Sequence, residues 1–521
     1  MSTPSRPLTR RSVLAAGAGV SAAVGLDTML PATALATTRH AAAQGPREAI
    51  RLSDLGQCSR AVLVARRLTY GATPALVGTI SRHGAGAFVD AQLQPASIDD
   101  SVCDGYLRAF PLIGLEPEAL RAAVAEGSFE QMSEMQTAAL VRAAFSERQL
   151  FEMLVELWWN HFNVGLPSAD VWDLAGRHDN LIRRHALGRF SDLLRAMAQS
   201  PALLHSLNQD QSVGQNPNEN YGRELLELHT VGVGAGYSEH DVHQSSLLLT
   251  GLSIGPDGFS VVYRPGDHYI GAVRVMSFSD PNTNRLQGGR LIARYLGYLA
   301  HHPATAAHLA TKLARRFVCD EPPPRLISAL ARTYLEGGTA IVPVLRCLFS
   351  SPEFLSSAGQ KLRRPLEAIA AALRVLDYRL KASGTSDIAD LGFMLEIMGQ
   401  APMGWMQPNG YPDTAAEWMS ASATQSAWAA HLRLAGGWWT KQLAFPGLAH
   451  LIGNPSSETP AGHVLDRLVS RLLFAPVKTA HRAALLKFMD RRPADPIGAG
   501  GLVGLPMVAK VILDSPYFAL R

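Results

Sequence analysis

From Ser59 onward the chain repeats one pattern: apolar residues return every three or four positions, and a helix-stopping residue closes each run. That spacing lays an apolar stripe along each helix, and every stripe must be covered by another element. Thr73-Pro74 reads as an N-cap followed by a first-turn proline, and Gly84 closes the same helix. A long periodic run covers 130–162. Further runs fall at about 170–186, 188–199, 219–230, 239–250, 288–301, 304–318, 324–336, 340–350, 361–380, 386–399, 414–433, 463–473, 478–490 and 504–514. The stretch 255–278 departs from the pattern. Pro256-Asp257-Gly258 and Pro265-Gly266-Asp267 are turn sequences, and 259–264 and 269–278 are β-rich. The expected fold is mainly α, a large multi-helix array with one inserted β-hairpin near 255–278.

Three runs end in Ser-Pro, at Ser200-Pro201, Ser351-Pro352 and Ser515-Pro516. Proline disfavours helical geometry in the residue before it, so each pair marks a helix boundary. Their unequal spacing makes them a recurring stop device and not a solenoid repeat. The Pro-rich Glu321-Pro322-Pro323-Pro324 is a natural divider, and the expected organisation is a helical lobe over 37–320, carrying the hairpin, and a second over 321–521.

The first 36 residues carry an address. Thr9-Arg10-Arg11-Ser12-Val13-Leu14 leads into an apolar stretch over 13–26, and Ala34-Leu35-Ala36 supplies the small residues a signal peptidase accepts. This is the pattern of a twin-arginine signal peptide. As a helix the stretch rises only about 21 Å, short of the roughly 30 Å hydrocarbon core, so cleavage is expected and not anchoring. The mature chain is expected in the periplasm or outside the cell, with no stable membrane span. The twin-arginine route carries folded chains, so a cofactor such as a divalent metal can be loaded before export; the sequence names none.

Lys and Arg total 48 against 44 Asp and Glu, a net charge of +4, and no basic run concentrates it. Nucleic acid is therefore not an expected partner. Cys58, Cys103, Cys319 and Cys347 contain no C-x-x-C pair, which argues against a thiolate zinc site or a redox motif. Their pairing stays open between buried free thiols and a disulfide.

Two segments carry candidate chemistry. Projecting 151–163 (FEMLVELWWNHFN) at about 100° per residue places Glu152, Glu156, Asn160 and Asn163 on one stripe, with Phe151, Val155, Trp158 and Phe162 beside it. His161 falls on the opposite side, so Glu156 and His161 cannot chelate one ion within a continuous helix. In the second segment, 218–229, Tyr221, Leu225 and Leu228 form an apolar face edged by Asn220, Glu224 and Glu227. The functional expectation is that Glu224 or Glu227 meets Glu156 across a helix interface, to hold a cation or share a proton. The structural expectation is an ion-pair network in which arginines neutralise these acids. Gly251-Leu252-Ser253-Ile254-Gly255 matches the G-x-S-x-G pattern, but here a helix leads into a turn and a strand, the reverse of the context a nucleophile elbow needs. No H-E-x-x-H or Glu-x-x-His occurs.

These segments also carry a resemblance. Arg67-Leu68-Thr69-Tyr70-Gly71, Trp158-Trp159-Asn160-His161-Phe162, Asn218-Glu219-Asn220-Tyr221-Gly222-Arg223-Glu224, Lys312-Leu313-Ala314-Arg315-Arg316-Phe317, Arg364-Pro365-Leu366-Glu367 and Pro408-Asn409-Gly410-Tyr411-Pro412-Asp413 with Trp418 together resemble the bacterial domain-of-unknown-function 1800 family, over about 56–518. The resemblance implies an exported, mainly helical protein with no accepted catalytic residues. It also implies a partner, a second exported protein resembling the alkaline phosphatase and sulfatase superfamily. Trp159 stands where the family often has histidine, and His268 is followed by Tyr269 where the family commonly has a His-Asp pair.

Two readings follow. One is a metal-assisted or acid/base hydrolase-like enzyme using Glu156, Glu224 and Glu227 with His161 or His229 in support. The other is a non-catalytic binding or assembly partner of another exported enzyme, with Trp405, Met406, Tyr411 and Trp418 as a contact surface.

Overall fold

The structure, a computed structural model, describes residues 58–381, 386–439 and 441–521. The signal sequence expected over 1–36 lies outside the described residues. All described residues belong to one compact unit, Ile50–Arg521. The fold is mainly helical, as the periodicity requires, and the local signals act where expected. The Thr73 side chain accepts from Leu76 N at the start of Pro74–His83, and Gly84 follows at φ 89°. Ser238 and Asp241 form a capping box for Glu239–Leu249. Each Ser-Pro pair sits at a boundary, with a short helix starting at Pro201, Pro352 and Pro516. The helix after the Pro-rich loop, Pro324–Glu336, packs on Pro303–Phe317, which precedes it.

Two expectations need correction. The run over 130–162 is two helices, Glu130–Phe145 and Gln149–His161. Between them Asp100 captures the chain: its carboxylate accepts from Ser146 Oγ at 2.8 Å and from Glu147 N at 2.7 Å. A distant carboxylate thus ends a helix that local periodicity would continue. The single hairpin is in fact two. Strand β1 (Leu252–Ile254) pairs antiparallel with β2 (Val261–Tyr263), and β3 (Val273–Val275) with β4 (Phe278–Asp280). The chain reverses at Gly258, φ 81°, and at Met276, φ 54°, whereas Pro265–Asp267 forms a 3-10 turn linking the hairpins. A third short pair joins Arg379–Leu380 to Leu443–Ala444.

Large aromatic side chains meet in the core around Gln149–His161. Trp158, Trp159, Phe162 and Phe190 are fully buried there, each contributing roughly 2–3 kcal/mol of apolar burial. Trp158 satisfies its indole by donating to Ala186 O at 2.9 Å. All four cysteines are free thiols, and no described helix is long and apolar enough to cross a membrane.

Candidate functional site

The polar stripe of Glu152, Glu156 and Asn160 on Gln149–His161, with Asn163 just beyond it, ties the helix to other parts of the chain. Glu152 accepts from Arg183 at 3.0 Å. Glu156 Oε2 accepts from Arg316 Nη2 at 2.9 Å and Arg364 Nη2 at 2.6 Å, while Asn160 Nδ2 donates to Oε1 at 3.2 Å. Asn160 Oδ1 accepts from Tyr411 N at 3.0 Å, and Asn163 Nδ2 donates to the carbonyls of Trp405 and Gln407 at 2.6 and 2.7 Å. The loop 408–413 is therefore clamped to the helix. Gly410, at φ 69°, lets its backbone press against the Asn160 carbonyl where a Cβ would collide.

Beneath Glu156 lies a second acid, Glu367, which is fully buried. Its carboxylate pairs with Arg316, with Arg364 at 3.3 Å and with Arg521 at 3.0 Å, and it accepts from Arg364 N at 3.1 Å. Burial alone would raise its pKa, but the guanidiniums of Arg316, Arg521 and Arg364 outweigh that and hold it well below the usual carboxylate range. Glu156 belongs to this junction. Its carboxylate is engaged as a counter-ion of two guanidiniums.

Glu224 and Glu227 do not join it. They line neither of the two clefts that Glu156 lines. Glu224 is half-buried, and burial together with the neighbouring Glu227 raises its carboxyl pKa. Glu227 engages the Tyr237 hydroxyl. The segment runs as an α-helix only over Glu219–Glu224 and continues as a π turn over Leu225–His229. The wider turn begins after Glu224 and shifts the residues at its end, His229 among them, and turns of this kind recur at functional sites.

That turn delivers His229 to a different cluster. The ring centroid of His161 lies 6.1 Å from those of both His229 and His308. His161 Nε2 is 3.1 Å from the His229 carbonyl and Nδ1 is 2.8 Å from Lys312 Nζ. A carbonyl only accepts, so Nε2 carries the proton, and Nδ1 accepts from Lys312. His308 stands one turn before Lys312 on Pro303–Phe317, with Gly232, φ 88°, packed so closely on its Nδ1 that a Cβ would not fit. Burial, with Lys312 adding to it, holds His161 neutral far below its ordinary value and lowers His229 to about 3. His308 is likewise lowered to about 3. Burial, reinforced by Arg315 and opposed by Asp413, brings Lys312 down to about 8.

Lys312 reaches solvent through a cleft of about 370 Å³. Arg315, Arg316 and Arg364 line it with Lys312, opposite Tyr411 and Asp413. Lys361 holds Asp413 from behind, donating to its carbonyl at 2.5 Å and pairing with its carboxylate at 3.1 Å. The Nε groups of Arg316 and Arg364 are buried without a hydrogen-bond partner among the described residues. Both guanidiniums are paired with Glu156 and Glu367, so among the described residues Lys312 and Arg315 are the lining cations left to face an oxyanion. Among the described residues no group of three or more His, Cys, Asp or Glu is placed to hold a metal ion.

Of the sequence candidates, Glu156, Trp405 and Tyr411 line this cleft, and His161 meets it through Lys312, with His229 behind. Lys312, Arg315, Arg316, Arg364, Glu367 and Asp413 were not singled out for chemistry, although they lie in three of the segments that carry the family resemblance. Trp405, Tyr411 and Trp418 pack against one another, with centroids 5.2 and 5.8 Å apart. Ser253 sits on β1 after a helix, its Oγ donating to Asp210 O at 2.9 Å, as the reversed motif context requires. His268 is buried between Thr250 O and Asn282 Oδ1, a structural role.

A family model described as a protein of unknown function, DUF1800, matches residues 63–520. No curated protein and no solved structure matches the chain.

Proposed function

Because this chain belongs to the DUF1800 family, whose description assigns no activity, we propose from the geometry that it is an acid/base enzyme of hydrolase type for an oxyanion-bearing substrate, with Lys312 as the proton-transfer group. The observation that carries this reading is the 2.8 Å contact of Lys312 Nζ with a neutral His161, on the wall of an arginine-lined cleft. A lysine with a pKa near 8 exchanges its proton at neutral pH, which an ordinary lysine does not. Arg315 would seat a carboxylate, sulfate or phosphate beside Lys312, with the buried Arg316 and Arg364 behind it. Glu156 and Glu367 hold the last two guanidiniums in place. Export by the twin-arginine route is part of the proposal, supported by the motif at 9–36.

The test is amine labelling of Lys312 by trinitrobenzenesulfonate, followed against pH by mass spectrometry. The expected midpoint lies near 8, and sulfate or phosphate should protect the site. A midpoint near that of free lysine, or labelling indifferent to both anions, refutes the reading.

The alternative is a non-catalytic partner of a second exported enzyme, one of the alkaline phosphatase and sulfatase type. The fully paired Glu156 favours it, since a locked ion-pair network is what a scaffold needs. Exposed Trp428, Trp438 and Met419 would offer such a scaffold a contact surface.

A further inference from the structure

The two walls of the Lys312 cleft differ in chemistry. One is the helix Pro303–Phe317, which contributes Lys312 and Arg315. Arg315 is half-buried and its Nε donates to Asp320 O at 3.0 Å, but no carboxylate among the described residues pairs with its guanidinium. The other wall is the segment 401–418, which contributes Trp405 and Tyr411. Both rings are half-buried, with centroids 5.2 Å apart. Their polar atoms are satisfied inside the protein: Trp405 Nε1 donates to Asn409 Oδ1 at 2.7 Å, and the Tyr411 hydroxyl donates to Ala401 O at 2.8 Å. An indole has one donor and a phenol one proton, and both are already given. What these side chains offer a ligand is therefore apolar ring surface.

The acids lining the cleft set the orientation of an anion. Glu156 is held by Arg316 and Arg364, and Asp413 by Lys361. Glu417, on the aromatic segment, has no ion pair among the described residues. An oxyanion is thus repelled from the aromatic side and drawn towards Lys312 and Arg315, which leaves the rest of the ligand against Trp405 and Tyr411. A sugar would set its hydroxyls against rings that have no donor left, whereas an aromatic ring can stack on them or meet them edge-on. The volume of about 370 Å³ admits one such ring with its charged group. We infer that the substrate of this cleft is an aryl oxyanion, a carboxylate, sulfate or phosphate carried on an aromatic ring, an inference that rests on the anion-binding reading proposed above.

The test is calorimetric titration of the whole chain with two matched pairs, phenyl phosphate with inorganic phosphate and benzoate with acetate. In each pair the aryl member should bind about tenfold more tightly, the gain expected from one buried ring contact. Trp405→Ala should bring that ratio close to unity, and Trp405→Phe, which keeps a ring but no indole N–H, should preserve most of it. If Trp405 served only through its bond to Asn409, both variants would lose the ratio equally. Arg315→Gln should weaken both members of a pair alike. The wild-type ratio decides the matter even if Trp405→Ala fails to fold. The inference alone is overturned if the two members of each pair bind equally to the wild type, if the ratio survives Trp405→Ala, or if Trp405→Phe loses it as completely. If none of the four anions binds, the proposed function falls with it.

Discussion

The helix Gln149–His161 touches two charged clusters on its two sides, and they are built on opposite principles. At the Glu156–Glu367 junction every carboxylate meets guanidiniums, and attraction offsets the cost of burial. At the His161–Lys312 cluster no carboxylate among the described residues makes an ion pair with the lysine or the rings. Burial there is met by giving up charge, so the rings stay neutral and the lysine pKa falls. Matched charges lock a structure, whereas burial without a counter-charge leaves the rings neutral and brings the lysine proton within reach of exchange near pH 8.

The most damaging way to probe this contrast is Glu367→Ala, which leaves Arg316, Arg364 and Arg521 buried without their shared counter-ion. A loss of about 3–5 kcal/mol in urea unfolding is expected; a loss below 1 would mean that the junction is not the lock described.

Acid should attack the other cluster. His161, His229 and His308, and the buried His178, whose pKa is lowered to about 4, have folded values below the unfolded 6.5. The unfolded chain therefore binds more protons below that pH. Stability is fully present above about 6.5 and falls on acidification towards the folded values, by about 1.4 kcal/mol per pH unit for each histidine. Urea midpoints between pH 7.5 and 4.5 measure the slope, and His308→Asn should reduce it by about one proton. A slope unchanged in that variant contradicts a neutral His308.

Lys312→Met acts in the opposite sense. The folded value near 8 lies below the ordinary 10.5, so wild-type stability carries a penalty below pH 8 that is relieved as pH rises towards 10.5. The variant should be more stable than wild type at pH 7, by about 1–2 kcal/mol, and should lose this advantage above pH 10. Thermal melts at the two pH values check it.

The smallest effect is expected at Glu224→Gln. This residue sits outside both clusters, and the change removes only its repulsion with Glu227, so stability at pH 7 should move by less than about 0.5 kcal/mol, upwards. A loss of Lys312 protection by sulfate in this variant would return Glu224 to the site.

The helical architecture could be read from the chain because it is written in short-range signals. Thr73-Pro74, the Ser238 cap and the Ser-Pro stops act on residues a few positions away, and the helices begin and end where they say. The same holds for the stripe of Glu152, Glu156, Asn160 and Asn163, since helix geometry alone sets it. The misreadings have long-range causes. Asp100 breaks the run at Ser146 from 46 positions away. The π turn at Leu225–His229 moves His229 out of register, and no local propensity announces it.

What the sequence by itself determined, then, is the set of helices, their capping and which residues share a face, because 3.6-residue periodicity and cap chemistry are local. The family also lay within its reach. Which faces meet was decided only by tertiary packing, which sets Arg316 and Arg364 on Glu156 across 160 and 208 positions and Lys312 on His161 across 151. The charge state of a buried group depends on those neighbours and on the water they exclude, so packing alone made Glu156 a counter-ion and lowered the pKa of Lys312.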